Sequence, residues 1–561
     1  MRPLRLLALA LVLGAAIASF SLLPSSARSM PAMAGHRAPI RGAMHIHTRR
    51  SDGTGTVDQV AAAAARAGLS FVIITDHGNL SRELEPPSYR SGVLCIEAVE
   101  ISTKGGHVVA LGLSKSPYPL GGEPRDVVDD IARLGGMSIA AHPTSSKADL
   151  RWRDWSAPID GIEWLNGDSE WRDERAASLG RTLLTYPFRQ AETLASLLDR
   201  PDAALSAWDK LASDHPVVAV AASDAHARIG FRSEGDPFEP RIALHLPAYE
   251  QAFRAFSISI PGVALGHDAA TDARAVVDAI RHGHVFSSID GLASPAIVAF
   301  TAESGGVSAQ GGDTLRAGNP ATFSLESNAP SDARVRLLRN GVQVADVTGP
   351  KLMYVGTEAG AYRVEIYFPH APGVPPIPWI VTNPIYLSAR GARPVEKADS
   401  AAFTSRYDDG PADEWHVEKS ANSEGAINVV RTIGGTQLSL RFGLGGMDGE
   451  SPFVGFVMPA GSIVGADRLA FSATANRPMR MSVQLRTPDG AAAKRWQRSI
   501  YLDETKRSLV VPFGEMTPLG AASDAHPIVE RVSDVLFVVD TVNAGPGSNG
   551  QIWLDDVKYG R

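Results

Sequence analysis

The sequence predicts a multidomain protein in which a parallel β/α barrel is followed by two all-β domains, a β-sandwich and a jelly roll. Three observations carry this. Between residues 40 and 290, short apolar strands alternate with helical pieces, the pattern of a parallel sheet buried on both faces and closed as a barrel. Beyond Ile289 the apolar period drops to two, the mark of half-buried strands. The chain is 561 residues long with 44% hydrophobic residues, enough at about 150 residues per domain for three cores.

The first element is not part of the barrel. Arg2 and Arg5 precede an uncharged apolar run from Leu6 to Leu23, followed by small-residue sites ending at Ala27 or Ala34. Residues 1–34 therefore read as an export signal or, in the rival reading, an uncleaved N-terminal anchor. Either way the body is expected to be exported, to the periplasm or the exterior, with membrane contact only through that segment. Cys95 is the sole cysteine, so no internal disulfide can brace the fold. A net charge of −7 and a pI near 6.1 argue against an extended nucleic-acid surface.

The barrel region opens with "GAMHIHTRRSDGTG", residues 42–55. On a strand, His45 and His47 share one face. "TVDQVAAAAARAGLSFVIITDHG" then gives an Ala-rich helix opened by Thr56 and Asp58, a stop at Gly68, and a β-branched strand ending in Asp76 and His77. "EPRDVVDDIARLGGMSIAAHP" repeats the layout, with Asp129 and Asp130 on the polar side of the helix, a Gly135-Gly136 stop, and a strand ending in His142. "DHPVVAVAASDAH" is another strand, with Asp224 and His226 at its end.

Strand C-terminal ends are where such barrels place their chemistry. They carry His45, His47, Asp52, His77, Glu100, His107, His142, Asp224 and His226. Each alone is unremarkable as a core histidine, a cap or a solvated carboxylate. Nine together, all imidazoles and carboxylates with no thiol among them, suit zinc, manganese or iron and exceed the needs of one ion.

In their order, "HIHTRRSDGTG", "IITDHG", "AVEIST" with "GHVVALGL", "AAHP" and "ASDAH" resemble the successive signatures of the PHP (polymerase and histidinol phosphatase) family of metal-dependent phosphoesterases. The resemblance spans residues 40–291. It implies a distorted seven-stranded β/α barrel with a trinuclear centre of divalent ions. On the family pattern His45, His47, Glu100 and Asp224 would hold one ion, and Glu100, His107 and His142 a second, with the Glu100 carboxylate bridging. Asp52, His77 and His226 would hold the third. Some family members have His where this chain has Asp52. Asp76 would accept from a ligand imidazole or cap its strand. Glu100 and Asp224, by holding a bridging hydroxide as nucleophile, would be catalytic. Arg49 and Arg50, lodged between ligands, would be the phosphate contacts, ahead of Lys104, Lys147 and Arg228. The implied substrate is a phosphate-ester small molecule: a phosphomonoester, a nucleotide or an oligonucleotide end.

Between Lys147 and Pro216, Glu163, Asn166 and the tryptophans Trp152, Trp155, Trp164 and Trp171 either line a substrate pocket or pack an insertion against the barrel. Residues 294–390 read as an immunoglobulin-like β-sandwich with an Asn340-Gly341 hairpin signal. After the linker "SARGARPVEK", residues 400–561 read as a jelly roll resembling galactose-binding-like, carbohydrate-binding modules. Two functions follow. One is an exported metal-dependent phosphoesterase. The alternative is a non-catalytic surface protein whose metals brace the barrel and whose β-modules bind glycan.

Overall fold

A computed structural model describes residues 22–172, 174, 176–227, 229–231, 242–244, 246–388, 403–433, 435–447, 451–489, 492–520 and 524–561. The apolar run assigned to export lies almost wholly outside the described residues, as does Arg228. Among the described residues no helix is long and apolar enough to cross a membrane. The protein is multidomain and mostly β, with eight α-helices among the described residues. It divides into two compact units: residues up to 78, 84–114 and 128–393 form one, and residues 79–83, 115–127 and 394–561 the other.

The first unit starts with β1 (Ile40–Met44), α1 (Val57–Arg66) and β2 (Phe71–Ile74). Thr56 caps α1 and forms a capping box with Gln59, satisfying two of the open N–H groups of the first turn. Then come β3 (Val93–Glu97), β4 (Val99–Thr103) and β5 (Gly106–Leu111). They are followed by α2 (Pro124–Arg133), of which residues 128–133 belong to this unit, β6 (Met137–Ala140), β7 (Gly161–Asn166), α3 (Asp202–Ala212) and β8 (Val218–Ala222). The expected polar side of α2 is only partly polar surface, because Asp130 is 1% exposed and pairs with Arg133.

β1, β2 and β3 pair in parallel, as do β6, β7 and β8. The expectation of a wholly parallel sheet fails between them, because β4–β5 and β5–β6 are antiparallel. Only Lys104 and Gly105 separate β4 from β5, and so short a link permits nothing but an antiparallel hairpin. The two sheets meet at both edges. Ala98 N–H donates to the Ile74 carbonyl (2.7 Å), and Ser223 N–H to that of Met44 (2.9 Å). Bridges join His77 to Glu100 and Ile46 to Ala225.

Alternation fills both faces. Phe71, Ile73, Leu94, Ile96, Val109, Ile139 and Val220 share one core. Their neighbours Val72, Ile74 and Cys95 pack on Val60, Ala61 and Ala64 of α1, and Ala219 and Ala221 pack with Leu205 and Trp208 of α3. Strands buried on both sides read as continuous apolar runs, which is why the sequence announced them.

The immunoglobulin-like segment does not stand apart from this unit. β9 (Ser257–Ile260) and β10 (Phe286–Ser288) continue the sheet from β1, and β10 pairs with Ile380–Thr382 of that segment. Its hairpin turns at Asn340 and Gly341, both at positive φ (49° and 80°), as a two-residue turn requires.

The second unit is a sandwich of two six-stranded sheets. Leu438, Leu440, Phe442, Met481, Val483, Leu485, Val535 and Phe537 alternate inward to form its core. Residues 115–127 belong to it: the Asn543 amide donates to the Pro119 and Gly121 carbonyls, and Arg498 pairs with Asp126.

Candidate metal centre

Three donor residues sit one or two positions past a strand end, in backbone conformations that L-residues rarely adopt. His45 has φ +60°, His142 φ +30° and Asp224 φ +45°. Each such conformation costs on the order of 1–3 kcal/mol and persists where surrounding structure imposes it. Here it occurs just past the ends of β1, β6 and β8, where the donors gather.

The structure brings all nine expected donors to one place. His45 Nε2 and His47 Nε2 each lie 3.3 Å from Glu100 Oε2 and 3.4 Å from Asp224 Oδ1. Both imidazoles are fully buried, and neither Nε2 has a hydrogen-bond partner. Donor atoms at such separations suit two ligands of one zinc ion at its usual distance of roughly 2.0–2.1 Å to nitrogen or oxygen. Unmet buried nitrogens facing carboxylate oxygens at that spacing fit a cation.

Glu100 divides its oxygens. Oε2 faces this group, while Oε1 lies 2.7 Å from both His107 Nδ1 and His142 Nε2. On the open side, His226 Nε2 is 3.2 Å from Asp52 Oδ2, and His47 Nδ1 is 3.4 Å from Asp52 Oδ1, an oxygen with no hydrogen-bond partner. His77 departs from the expected grouping. Its Nδ1 is 3.2 Å from Glu100 Oε2 and its Nε2 3.8 Å from Asp52 Oδ1, so it clusters with His47 and Glu100, while Asp52 and His226 cluster with His47. Among the described residues, four overlapping groups of three donors could hold metal ions, and they include every expected donor except His107.

The electrostatics follow from this packing. Burial alone would push the Glu100 and Asp224 carboxyls up, but the surrounding imidazoles hold both well below the carboxylate range. Burial alone would push the imidazoles down, yet Glu163, Asp224 and Glu100 hold His45 well above its ordinary value. The same opposition raises His47 to about 10. His77, with less compensation, is lowered by burial. The cluster demands positive charge, from protons or from metal.

The sequence did not reveal the role of Glu163. Placed among pocket candidates, it is instead fully buried behind the centre. Its Oε1 lies 2.5 Å from His45 Nδ1, and its Oε2 accepts from the His142 backbone N–H and the Asn166 amide (both 2.8 Å). The signal available was its place near the end of an apolar strand, the same as for the donors. Asp76, read as an imidazole acceptor or a cap of its strand, instead accepts from Thr48 N–H and from the hydroxyls of Thr48 and Ser51, in the loop that follows β1. Arg50 is engaged by Glu85 and Glu97, and Arg49 donates to the Thr54 carbonyl. Trp152 and Trp164 are core residues at 1% exposure, Trp164 donating to Ser287 Oγ. Trp155 reaches the surface, and the Trp171 side chain lies outside the description.

No family model matches the chain. Over 138 residues, 22% of this chain and 80% of the other, it is 30% identical to the uncharacterised protein MJ1587 of Methanocaldococcus jannaschii. Among solved structures it is similar to a family 11 carbohydrate-binding module of a Clostridium thermocellum cellulosomal cellulase. That similarity has 12% identity, covers 29% of this chain and 95% of that one, and has a TM-score of 0.25. A family 30 module from the same organism gives 10%, 28%, 96% and 0.21.

Proposed function

Because the chain belongs to the same family as the uncharacterised archaeal protein MJ1587, a family whose member's name brings no activity with it, we propose a function from the site: an exported metal-dependent phosphoesterase of the PHP type. The carrying observation is the pair of unmet, fully buried nitrogens of His45 and His47 set against Glu100 and Asp224 at ligand spacing. His45, His47, Glu100 and Asp224 would hold one ion, Glu100, His107 and His142 a second, and Asp52 and His226 beside His47 a third, with His77 set between Glu100 and Asp52. Such ions, zinc, manganese or iron, would supply positive charge to a phosphoryl group and lower the pKa of water.

The chain's own residues prepare the donors. Glu163 takes the Nδ1 proton of His45, and the Leu150 carbonyl that of His142 (2.9 Å), so each ring presents a bare Nε2 to the centre. Tyr249 donates to the His47 carbonyl (2.8 Å) and accepts from Thr54 and Gly55 N–H, holding the 47–55 loop that carries Asp52. The outer side stays accessible, since Asp52 and His77 are both about a third exposed. A closed structural site would have no such opening.

The test is metal analysis of the purified protein together with a screen of phosphomonoesters and diesters, including bis-nitrophenyl phosphate with added manganese. Close to three ions per chain and metal-dependent turnover are expected. Metal at trace level overturns the proposal.

A second reading keeps the metals as staples and gives the function to glycan binding by the sandwich at 403–560. Its support is that this unit is a complete two-sheet sandwich with its own core. Glycan-array binding together with inactivity on every ester would favour it.

A further inference from the structure

We propose that a cavity beside His142 is a ligand subsite for nucleotides, taking the base on Trp155 and an anionic group on Arg151 and Arg153. As a substrate subsite it rests on the phosphoesterase reading, but as a binding site it stands alone. The cavity, of about 370 Å³, is walled by Pro143, Thr144, Arg151, Trp152, Arg153 and Trp155, with two alanines of α3. That volume lies within the range of small-ligand sites.

Its walls are tied to the metal centre by the chain itself. Pro143 and Thr144 directly follow the donor His142. The Leu150 carbonyl takes the ring proton of His142 and the backbone N–H of His107 (3.2 Å), and the next three residues are Arg151, Trp152 and Arg153. Arg153 N–H donates back to the Gly105 carbonyl (2.8 Å), and its guanidinium to that of Lys104 (2.5 Å). One segment therefore holds two donor histidines and forms the cavity wall.

The wall's chemistry selects the ligand. It offers two exposed guanidiniums, a threonine hydroxyl and the indole of Trp152, and it contains no carboxylate. Trp152 is 1% exposed and its Nε1 has no hydrogen-bond partner, an unmet buried donor that a ligand acceptor would satisfy. Trp155, 36% exposed, supplies a flat apolar face. The ligand must bring negative charge, acceptors and a planar ring, as a nucleotide does. A simple alkyl phosphate leaves Trp155 unused, and a neutral glycan leaves the arginines unused.

The test is calorimetric titration of the full-length, metal-loaded protein with the phosphorothioate of AMP, with glucose 1-phosphate and inorganic phosphate as comparators. The nucleotide should bind about tenfold more tightly than glucose 1-phosphate. Trp155→Ala and Arg151→Gln should each weaken it about tenfold, as loss of a stacked ring or a charged contact does, with metal content unchanged in both and phosphate binding weakened only in Arg151→Gln. Trp152→Phe keeps an aromatic side chain in the wall, removes the N–H and should also weaken nucleotide binding. Affinities within about twofold of the unaltered protein in all three variants overturn the subsite. So does glucose 1-phosphate binding as tightly, or no nucleotide binding at all. Nucleotide binding that responds to these variants in a protein that hydrolyses no ester removes the phosphoesterase reading and leaves the subsite standing.

Discussion

Glu163 lies 2.5 Å from the Nδ1 of His45 while its other oxygen accepts the backbone N–H of His142. One buried carboxylate thus orients a donor ring from β1 and the strained backbone that carries another from β6. Glu163→Gln keeps the shape, but its amide nitrogen can drive His45 into the opposite tautomer, with the proton on Nε2. Metal affinity at the His45 group should fall about 10- to 100-fold, the usual effect of losing the partner of a metal-bound histidine. Competition titration against a chelator measures it. An unchanged affinity would show that Glu163 is only a packing residue.

Glu100 has the role that no neighbour can replace, since its two oxygens face different sets of imidazoles. Glu100→Gln removes the charge shared by both sets, so metal content should drop at two positions. Hydrolysis should fall by roughly a hundred- to a thousandfold or more. Glu97, three residues earlier, pairs with Arg50 and accepts from Glu85 N–H, away from the donors. Glu97→Gln should keep full metal content. Metal analysis of both variants separates them, and the reverse ranking would sink the assignment.

The raised imidazoles set a pH dependence. A group whose folded pKa is raised contributes stability that is complete below its unfolded value and is lost as pH rises through the folded one. For His47 that window runs from 6.5 to about 10, so the metal-free protein should lose stability as pH climbs through it. The same protons must leave when metal binds. Zinc affinity should rise with pH across this window, and protons should be released at neutral pH. Zinc calorimetry in buffers of different ionisation enthalpy reads the proton count directly; a count near zero would mean the rings are already neutral.

The donors were legible because their signal is local. Each is a polar residue closing an apolar run, and the runs recur at barrel spacing. What the sequence hid needs the third dimension. Glu163 and Asn166 look like any strand-end residues until β7 places them behind His45. Nothing local marks His45, His142 or Asp224 as left-handed: His45 and Asp224 flank the seam where Ser223 N–H meets the Met44 carbonyl, and His142 N–H is held by the distant Glu163. Arg50 read as a phosphate contact because it sits between donors, but Glu97 lies near enough to take its guanidinium. The antiparallel turn at 104–105 was written in its length, and was overridden by the parallel pattern on either side.

Acid sensitivity should have a separate origin in the same unit. Arg363 is 1% exposed, pairs with Asp209 and Glu365, and lies over the Trp208 ring. Although burial pushes the Glu365 carboxyl up, Arg363 and Arg200 outweigh it and hold the group at about 2. A depressed carboxyl contributes stability above its unfolded value of 4.5 that is lost as pH falls towards 2. Glu365→Gln should destabilise the protein by about 3–5 kcal/mol, the cost of breaking a buried pair, and should flatten its denaturant midpoint between those pH values. A midpoint that still falls as steeply would place the acid-labile group elsewhere.

The domain boundary expected near Gly291 should fail as a place to end the chain. β10 pairs with Ile380–Thr382, and the Asn383 amide donates to the carbonyls of Ala219 and Val285 (3.0 and 2.9 Å) while its oxygen accepts from Ala219 N–H. Tyr386 accepts from Val217 N–H, and Trp379 donates to the Ala293 carbonyl. Ending the chain at Gly291 strips these partners from β8 and β10. It leaves the buried N–H groups of Val217 and Ala219 without acceptors, at about 1–3 kcal/mol each, and opens a sheet edge that invites aggregation. A chain ending at Ser388 keeps every one of these bonds. The shorter chain should therefore melt well below the longer one or precipitate, and light scattering with thermal denaturation compares them. Equal melting temperatures, with metal retained by the shorter chain, would show that residues up to Gly291 fold as a self-sufficient domain.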